Sequence, residues 1–445
     1  MKTVVKVIGA GLAGCEAAWQ LAERGLPVEL FEMKPEQRSP AHVSPGFAEL
    51  VCSNSFRSND LTNAAGLLKE EMRRLDSLII STADEVKIPA GGALAVDREQ
   101  FALLITEKVN SHPNIKVTHN CIAEIPDGVV IIATGPLTAD ELAQKITEFI
   151  PDSKMLNFFD SAAPIVTVDS IDMNNAFFAS RYDKGDADYI NCPMDKDQYI
   201  AFREALISSE KAPVHGFEEK LVFEGCVPIE VLAKRGEDTM RFGPLKPVGL
   251  KDPNTGLEPY SVVQLRKDNA EGTLYNIVGF QTHLKFGEQN RVFGMIPALK
   301  NAEIVRYGVM HRNTYLNSPK LLDRFYRLKQ NTRVRFAGQI TGVEGYVESA
   351  ASGLLCGVET ACELLGKPQI EFPGETAIGA LSLYISTGAV SDFQPMNINF
   401  GIIKPLETKV KGKRNKNLAI SERSLKLIDN MVQNEHIISQ TVKGE

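Results

Sequence analysis

Strand–glycine–helix patterns at both ends of a 445-residue chain, with a change of texture between them, predict an α/β protein. The predicted architecture is a discontinuous Rossmann-like domain interrupted by an inserted α+β domain. The expected divisions are 1–167 for its first part, 168–270 for the insertion and 271–445 for its second part. At the N-terminal end Val4–Ile8 is a β-branched run, Gly9–Gly14 a glycine turn and Cys15–Arg24 a run of helix formers. Gly25 stops that helix, and Pro27–Phe31 is a second apolar strand ending at Glu32. One βαβ unit results, and with it a parallel sheet. Residues 37–60, rich in Ser, Pro and Asn, read as a long loop over the C-terminal edge of the sheet, where ordered loops are usually functional. A helix is expected over Leu67–Ile79, with Glu70, Glu71, Arg73 and Arg74 on its solvent face. Val129–Ala133 is a short buried strand ending in Thr134-Gly135-Pro136. Short strands, isolated Gly and Pro turns and one helix near 196–208 make up the insertion. Phe336-Ala337-Gly338 is a further strand end, leading through a glycine turn into a helix over Glu348–Leu365.

Composition excludes several classes. The balance of 49 basic and 56 acidic residues leaves a net charge of −7, so no globally basic nucleic-acid coat is possible and any RNA contact must be local. Hydrophobic residues at 43% and charged residues at 24% are ordinary for a folded protein. The seven cysteines (15, 52, 121, 192, 226, 356, 362) form no CxxC pair, which argues against a disulfide framework or a Cys-rich zinc site and for a reducing cytoplasm. The histidines show no metal-ligand spacing and no GxSxG elbow appears, so neither a metal site nor a serine hydrolase is expected. The N-terminal apolar run is too short for a signal peptide, and no uninterrupted apolar run is long enough to span a bilayer.

Gly9-Ala10-Gly11-Leu12-Ala13-Gly14 is a GxGxxG in its proper context, after a strand and opening a helix, with Glu32 ending the next strand. Gly9 permits the tight turn, Gly11 lets backbone approach a pyrophosphate at the helix N-terminus, and Gly14 lets helix and strand pack closely. A carboxylate at Glu32 suits ribose hydroxyls and disfavours a 2′-phosphate, so FAD or NAD is preferred to NADP. An AdoMet methyltransferase shares the glycine turn and the acid. It needs neither Val130-Ile131-Ile132-Ala133-Thr134-Gly135, which resembles the second flavin-associated strand of two-dinucleotide-fold flavoproteins, nor Phe336-Ala337-Gly338-Gln339, which resembles their C-terminal flavin-covering element. The flavin, FAD, is therefore the expected cofactor.

Longer motifs carry a more specific resemblance. Phe47–Ser55 (FAELVCSNS), Pro89–Arg98 (PAGGALAVDR), Glu224–Pro228 (EGCVP), Gly279–Lys285 (GFQTHLK) and Phe336–Tyr346 (FAGQITGVEGY) closely resemble the folate- and FAD-dependent tRNA (uracil-5-)-methyltransferases, the TrmFO family, over nearly the whole chain. The wider GidA/MnmG group shares the last of these motifs and carries an additional helical domain. The resemblance implies an FAD-binding domain of the GidA/glutathione-reductase type, 5,10-methylenetetrahydrofolate as carbon donor, reduced FAD as reductant, NADH or NADPH to recharge it, and 5-methyluridine made at T-loop position 54 of tRNA. One branch resembles this family equally and methylates 23S rRNA, so the RNA remains open between the two.

That chemistry assigns roles. Uracil C5 is a poor nucleophile until a thiolate adds at C6, so a cysteine is expected, with a base to remove the C5 proton and a hydride to reduce the methylene. Cys52, in a Cys-Ser-Asn-Ser loop beside an expected helix start, would have its thiol pKa lowered by backbone N–H groups. Cys226 lies in a stiff turn before Pro228. By resemblance both are catalytic, with nucleophile and base unassigned between them; the other five are expected to be packing residues. Gly9, Ala10, Gly11, Leu12, Ala13, Gly14, Glu32, Arg98, Gly135, Gly338, Gln339, Gly342, Gly345 and Tyr346 are the expected cofactor contacts. His283 is expected to stack on the pterin, with Asn54, Lys285, Arg266 and His311 as further substrate contacts.

RNA binding must use local basic surface: Lys234-Arg235, Arg241, Lys246, Arg266-Lys267 and the C-terminal run containing Lys409 and Lys411. The target uridine must be extruded from its stack, and Phe280 and Phe286 are candidates to replace the lost stacking. No membrane and no obligatory protein partner is expected. The competing readings are a small-molecule flavin oxidoreductase, a non-enzymatic FAD-binding RNA scaffold and a GidA-like wobble-uridine modifier.

Overall fold

The computed structural model describes residues 3–39, 41–150, 156–183, 186–213, 227–387 and 393–435. Seventeen strands among them run in chain order. The first seven are β1 (Val5–Ile8), β2 (Val28–Glu32), β3 (Ser55–Ser58), β4 (Lys87–Ile88), β5 (Ala93–Val96), β6 (Ile115–His119) and β7 (Val129–Ile132). Next come β8 (Leu156–Ser161), β9 (Ile165–Thr167), β10 (Phe177–Ala179), β11 (Tyr189–Met194), β12 (Ser261–Lys267) and β13 (Leu274–Ile277). The last are β14 (Ile304–Arg306), β15 (Met310–Tyr315), β16 (Arg327–Leu328) and β17 (Asn331–Phe336).

The glycine motifs at the two ends of the chain meet in one sheet, ordered β16-β17-β7-β1-β2-β6. Within it β17, β7, β1, β2 and β6 are parallel, and only β16 is antiparallel. β1 is central and its Val5 and Val7 are fully buried, as a parallel strand covered on both faces requires. The first helix, Leu12–Glu23, packs on the long helix Tyr346–Leu364 through small residues. A Cβ at Gly353 would lie 2.2 Å from the Ala13 carbonyl oxygen, and one at Gly357 2.8 Å from that of Ala17. Here glycine sets the distance between two helices, and through it the distance between the glycine turns that precede them.

A second sheet, wholly antiparallel, is ordered β10-β11-β12-β13-β9-β14 and has its own core, in which Phe280 meets Phe202 and Phe293. Its strands run from residue 165 to residue 306, beyond both ends of the expected 168–270 span. Chain passes between the two bodies along an antiparallel ribbon, β8 with β15, in which Leu156 faces Tyr315 and Ser161 faces Met310.

Three local expectations are corrected. The helix expected over Leu67–Ile79 is two helices, Ala64–Arg74 and Leu78–Glu85, broken at Asp76 with φ +53°. The break is held by buried Glu16, whose carboxylate accepts from Leu78 N (3.2 Å), Ile79 N (2.9 Å) and the Ser77 hydroxyl (2.7 Å). Glu71, expected in solvent, is fully buried and accepts from Ala377 N (2.7 Å) and Ile378 N (2.8 Å) at the head of the helix Ala377–Ser386. The loop expected over 37–60 contains β3, which joins β5 and β4 in a small antiparallel sheet ordered β3-β5-β4.

Candidate active site

A cleft of about 1120 Å³, partly open to solvent, lies over the C-terminal ends of β1, β2 and β7. Its walls come from Gly9–Ala13, Glu32, Gly135, Gly338, Gln339 and Tyr346, distant in sequence, and four of them are glycine for a reason. Gly9 takes φ +97°, and a Cβ there would sit 2.7 Å from the Ala133 carbonyl oxygen; a Cβ at Gly14 would sit 1.8 Å from that of Gly9. At Gly11 and Gly135 a Cβ would meet nothing within 4 Å, so these two leave room at the cleft rather than relieve a clash. The first helix has neither a side-chain cap nor an acid in its first turn, which leaves its N–H groups and the positive end of its dipole to an anion in the cleft.

Glu32 is 6% exposed and spans the turn: one carboxylate oxygen accepts from Ala10 N (2.8 Å), the other from Lys34 N (3.0 Å). Each oxygen retains capacity for a second donor such as a sugar hydroxyl. Gln339 donates to Glu344 (2.7 Å). Gly342 and Gly345, both at positive φ, are fitted to Phe393 and Glu348 and shape the turn into the long helix.

The Cys52 segment is held from all sides beside this cleft. Leu50 O accepts from Arg98, and Val51 O accepts from Arg306 Nη2 (2.7 Å). Cys52 N and Ser53 N both donate to the Tyr346 hydroxyl, at 2.8 and 3.1 Å. Arg266 donates to the Ser53 hydroxyl (2.7 Å) and to Asn54 Oδ1 (3.1 Å), while Asn54 Nδ2 reaches Val96 O and Lys267 O, each at 3.0 Å. Arg98 is in turn fixed by a two-point contact with Asp268 (2.9 and 3.2 Å). Burial and neighbouring Cys52 hold the Tyr346 phenol well above its ordinary range, so it remains an uncharged hydroxyl. Cys52 itself is half-buried and forms no disulfide among the described residues, its sulfur 3.6 Å from Ser161 O.

Several expectations need correction here. The amides next to Cys52 are taken by Tyr346 and do not point at the thiol, and the segment runs on into β3, not into a helix. Asn54 and Arg266 are 0% and 8% exposed, with polar groups occupied inside the protein, so they brace the Cys52 segment where substrate contacts were expected. His283 is 3% exposed and lies in the second body, Nδ1 at 2.5 Å from a Glu230 carboxylate that also takes Thr282 and the His283 amide. Lys285 is paired with Glu210 (2.6 Å), and Arg241 with Asp238 (2.6 Å). Phe280 is core, and Phe286 stacks on Tyr307 with ring centroids 4.5 Å apart. Lys409 and Lys411 are exposed, just before a helix, Lys413–Glu435, with no acid in its first turn. His311 lies in β15 opposite Asp160, and Cys226 lies outside the described residues.

Four cleft residues escaped the sequence reading: Lys34, His42, Glu49 and Cys121. Glu49 takes Val43 N and Ser44 N on one carboxylate oxygen, lies 3.7 Å from Lys34 Nζ, and leaves its buried second oxygen without a hydrogen-bond partner among the described residues. Burial and Lys34 lower the pKa of His42. The signal for His42 and Glu49 was only their place in a long polar loop. An orphaned carboxylate oxygen, an open helix N-terminus and glycines with free space together fit a long ligand with hydroxyls and phosphates, as FAD is. Among the described residues no group of three or more His, Cys, Asp or Glu could hold a metal ion, and no helix is long and apolar enough to cross a membrane.

Fold and cleft define a two-bodied dinucleotide-binding protein, and residues 4–368 match the family described as glucose inhibited division protein A, to which the chain belongs. Its likeness in fold is to the solved Aquifex aeolicus GidA. The form II crystal gives TM-score 0.72 at 15% identity, covering 99% of this chain and 74% of that one; form I gives 0.68 at 15%, covering 97% and 79%. Within the family the chain belongs with the proteins called methylenetetrahydrofolate–tRNA-(uracil-5-)-methyltransferase TrmFO. It is 58% identical to that of Acetivibrio thermocellus over 96% of this chain and 98% of the relative. To that of Bacillus licheniformis it is 58% identical over 97% and 99%.

Proposed function

We propose that the chain methylates C5 of a uridine in tRNA, the T-loop uridine at position 54, with carbon from 5,10-methylenetetrahydrofolate and hydride from FADH2. The observation that carries this reading is the full-length identity of 57–58% to relatives named for that reaction. Support from the site is the coincidence of a dinucleotide cleft with an unpaired cysteine fixed at its edge. Bound in the cleft, FAD would supply the two-electron reduction of the methylene, and NADH or NADPH would restore it. Glu32 would hold the adenosine ribose, and the open turn at Gly11 the pyrophosphate. Gly338, Gln339 and Tyr346 would border the ring.

The rest is thiol and proton chemistry. A thiolate at Cys52 or Cys226 adds to uracil C6 and makes C5 a carbon nucleophile that takes up the folate methylene. The other cysteine, as thiolate, takes the C5 proton as the folate amine leaves, and once the methylene is reduced to methyl the first thiolate departs from C6 and releases the product. Tyr346, Arg98, Arg266 and Arg306 are positioning residues that fix the Cys52 backbone. Lys409 and Lys411 would contact phosphate. The working compartment is the cytoplasm, a reading supported by six cysteines that form no disulfide among the described residues.

The test is label transfer from methylene-labelled folate to unmodified tRNA and to a 23S rRNA fragment, with AdoMet as the alternative donor. Label at the T-loop uridine only with folate and a nicotinamide reductant is expected. Label in the rRNA fragment alone would replace the substrate, and label only from AdoMet would refute the flavin reading.

A further inference from the structure

Exposed aromatic side chains and exposed lysines come together in and beside one stretch of the second body, Thr239–Lys251. Phe242 is 82% exposed, although the turn that carries it is anchored on both sides by buried Met240 and Leu245. Phe242 N donates to Asp238 O (3.0 Å), and the Arg241 guanidinium lies 3.7 Å above the Tyr260 ring and bonds Tyr260 O (2.9 Å). A fixed turn therefore presents this ring to water.

Thr239–Lys251 contains three cations; Arg241 is paired with Asp238 (2.6 Å), and Asp252 follows the stretch. Lys246 and Lys251 are exposed and make no ion pair among the described residues. Val248 is 40% exposed between them, and Tyr182, 58% exposed, lies so close that a Cβ on Gly249 would come within 2.8 Å of its ring. Tyr182 takes φ +59°, a left-handed conformation unfavourable for a bulky side chain, and its amide bonds Gly249 O (2.8 Å).

This stretch packs on the segment Gly279–Lys285. Pro244, two residues from Phe242, packs on Gly279, where a Cβ would meet it at 2.4 Å. Two residues further on, Gln281 O accepts from Ile229 N (2.7 Å) at the head of the helix that follows the Cys226 segment.

We propose that Phe242, Tyr182 and Val248, with Lys246 and Lys251, form a platform on which unpaired bases of the substrate RNA stack while the lysines contact the adjoining phosphates. The alternation of ring and cation suits a single-stranded polyanion whose bases have been pulled from their stack. It also concentrates positive potential on a chain of net charge −7, where RNA attraction has to be local. This rests on the reading of an RNA substrate.

The test uses the flavin-loaded full chain and an unmodified tRNA transcript, with dissociation constants measured across salt concentrations. Phe242→Ala should weaken binding by about five- to a hundred-fold, the range for a lost base–aromatic stack, with flavin content and melting temperature unchanged. Phe242→Trp should restore binding. Lys246→Ala should lower the slope of log affinity against log salt by about 0.7, as for one single-strand phosphate contact, while Phe242→Ala leaves the slope unaltered. Phe242→Ala affinity within two-fold of the parent overturns the platform, as does an effect on self-association without one on RNA. A parent chain that binds no transcript overturns the RNA reading and the platform with it.

Discussion

At the scale of single residues, the Cys52 segment shows what motifs can and cannot reveal. Cys52 and Tyr346 were each legible within their motifs, yet their contact spans 294 positions and nothing in either motif announces it. Of the three arginines that hold the segment, Arg98 was read as a cofactor contact, Arg266 as a substrate contact and Arg306 not at all, because a lone polar side chain in sequence does not show whether it faces a ligand or the protein's own backbone. Asn54 and Arg266 were misassigned for that reason. Among the described residues the Tyr346 hydroxyl is the sole acceptor seen for two amides in a half-buried place, and an unsatisfied amide costs up to about 1–3 kcal/mol as burial becomes complete. Tyr346→Phe is therefore expected to lower stability by roughly that amount and to speed hydrogen exchange at the Cys52 and Ser53 amides, with methylation reduced at least about ten-fold and flavin retained. Unchanged exchange at those two amides would show that the hydroxyl does not hold the segment.

At the scale of elements, the hydrophobic period located the central strands and the helices of the nucleotide-binding unit, because buried parallel strands are nearly continuous apolar runs. It misplaced buried charge. Glu16 and Glu71 occupy helix positions that a polar face would claim, and each instead caps the N-terminus of another helix, a role visible only in three dimensions. Lys69 is the cationic counterpart: fully buried, its ammonium donates to Phe56 O, Ser58 O and Ala65 O and so ties β3 to the helix Ala64–Arg74. Burial, with Arg57 adding to it, lowers its pKa from 10.5 to about 7. Between those values the unfolded chain binds the proton more readily, so this group's contribution to stability grows as pH rises from about 7 towards 10.5 and is lost as pH falls back through that interval. Lys69→Met should flatten this part of the stability–pH curve while lowering stability overall, as melting temperatures across that range would reveal. An identical slope in the variant would place the titration elsewhere.

At the scale of the whole molecule, two sheets with separate cores are joined by a ribbon and by the Arg98–Asp268 and Asn54–Arg266 contacts, so the Cys52 segment lies where both bodies meet. The discontinuous parallel sheet was legible because glycine turns of the same kind stand near both ends of the chain. The extent of the second sheet was not: β9 and β14 are three-residue strands paired across more than a hundred positions, and strands so short leave almost no period to read. The account rests on the claim that this junction carries the reactive thiol beside a flavin cleft. Its most direct test is Cys52→Ala, assayed for label transfer from methylene-labelled folate to unmodified tRNA alongside flavin content. The account predicts no transfer from a protein that keeps its full complement of FAD. Transfer at the parental rate, or loss of the flavin together with the activity, would show that Cys52 only packs the junction.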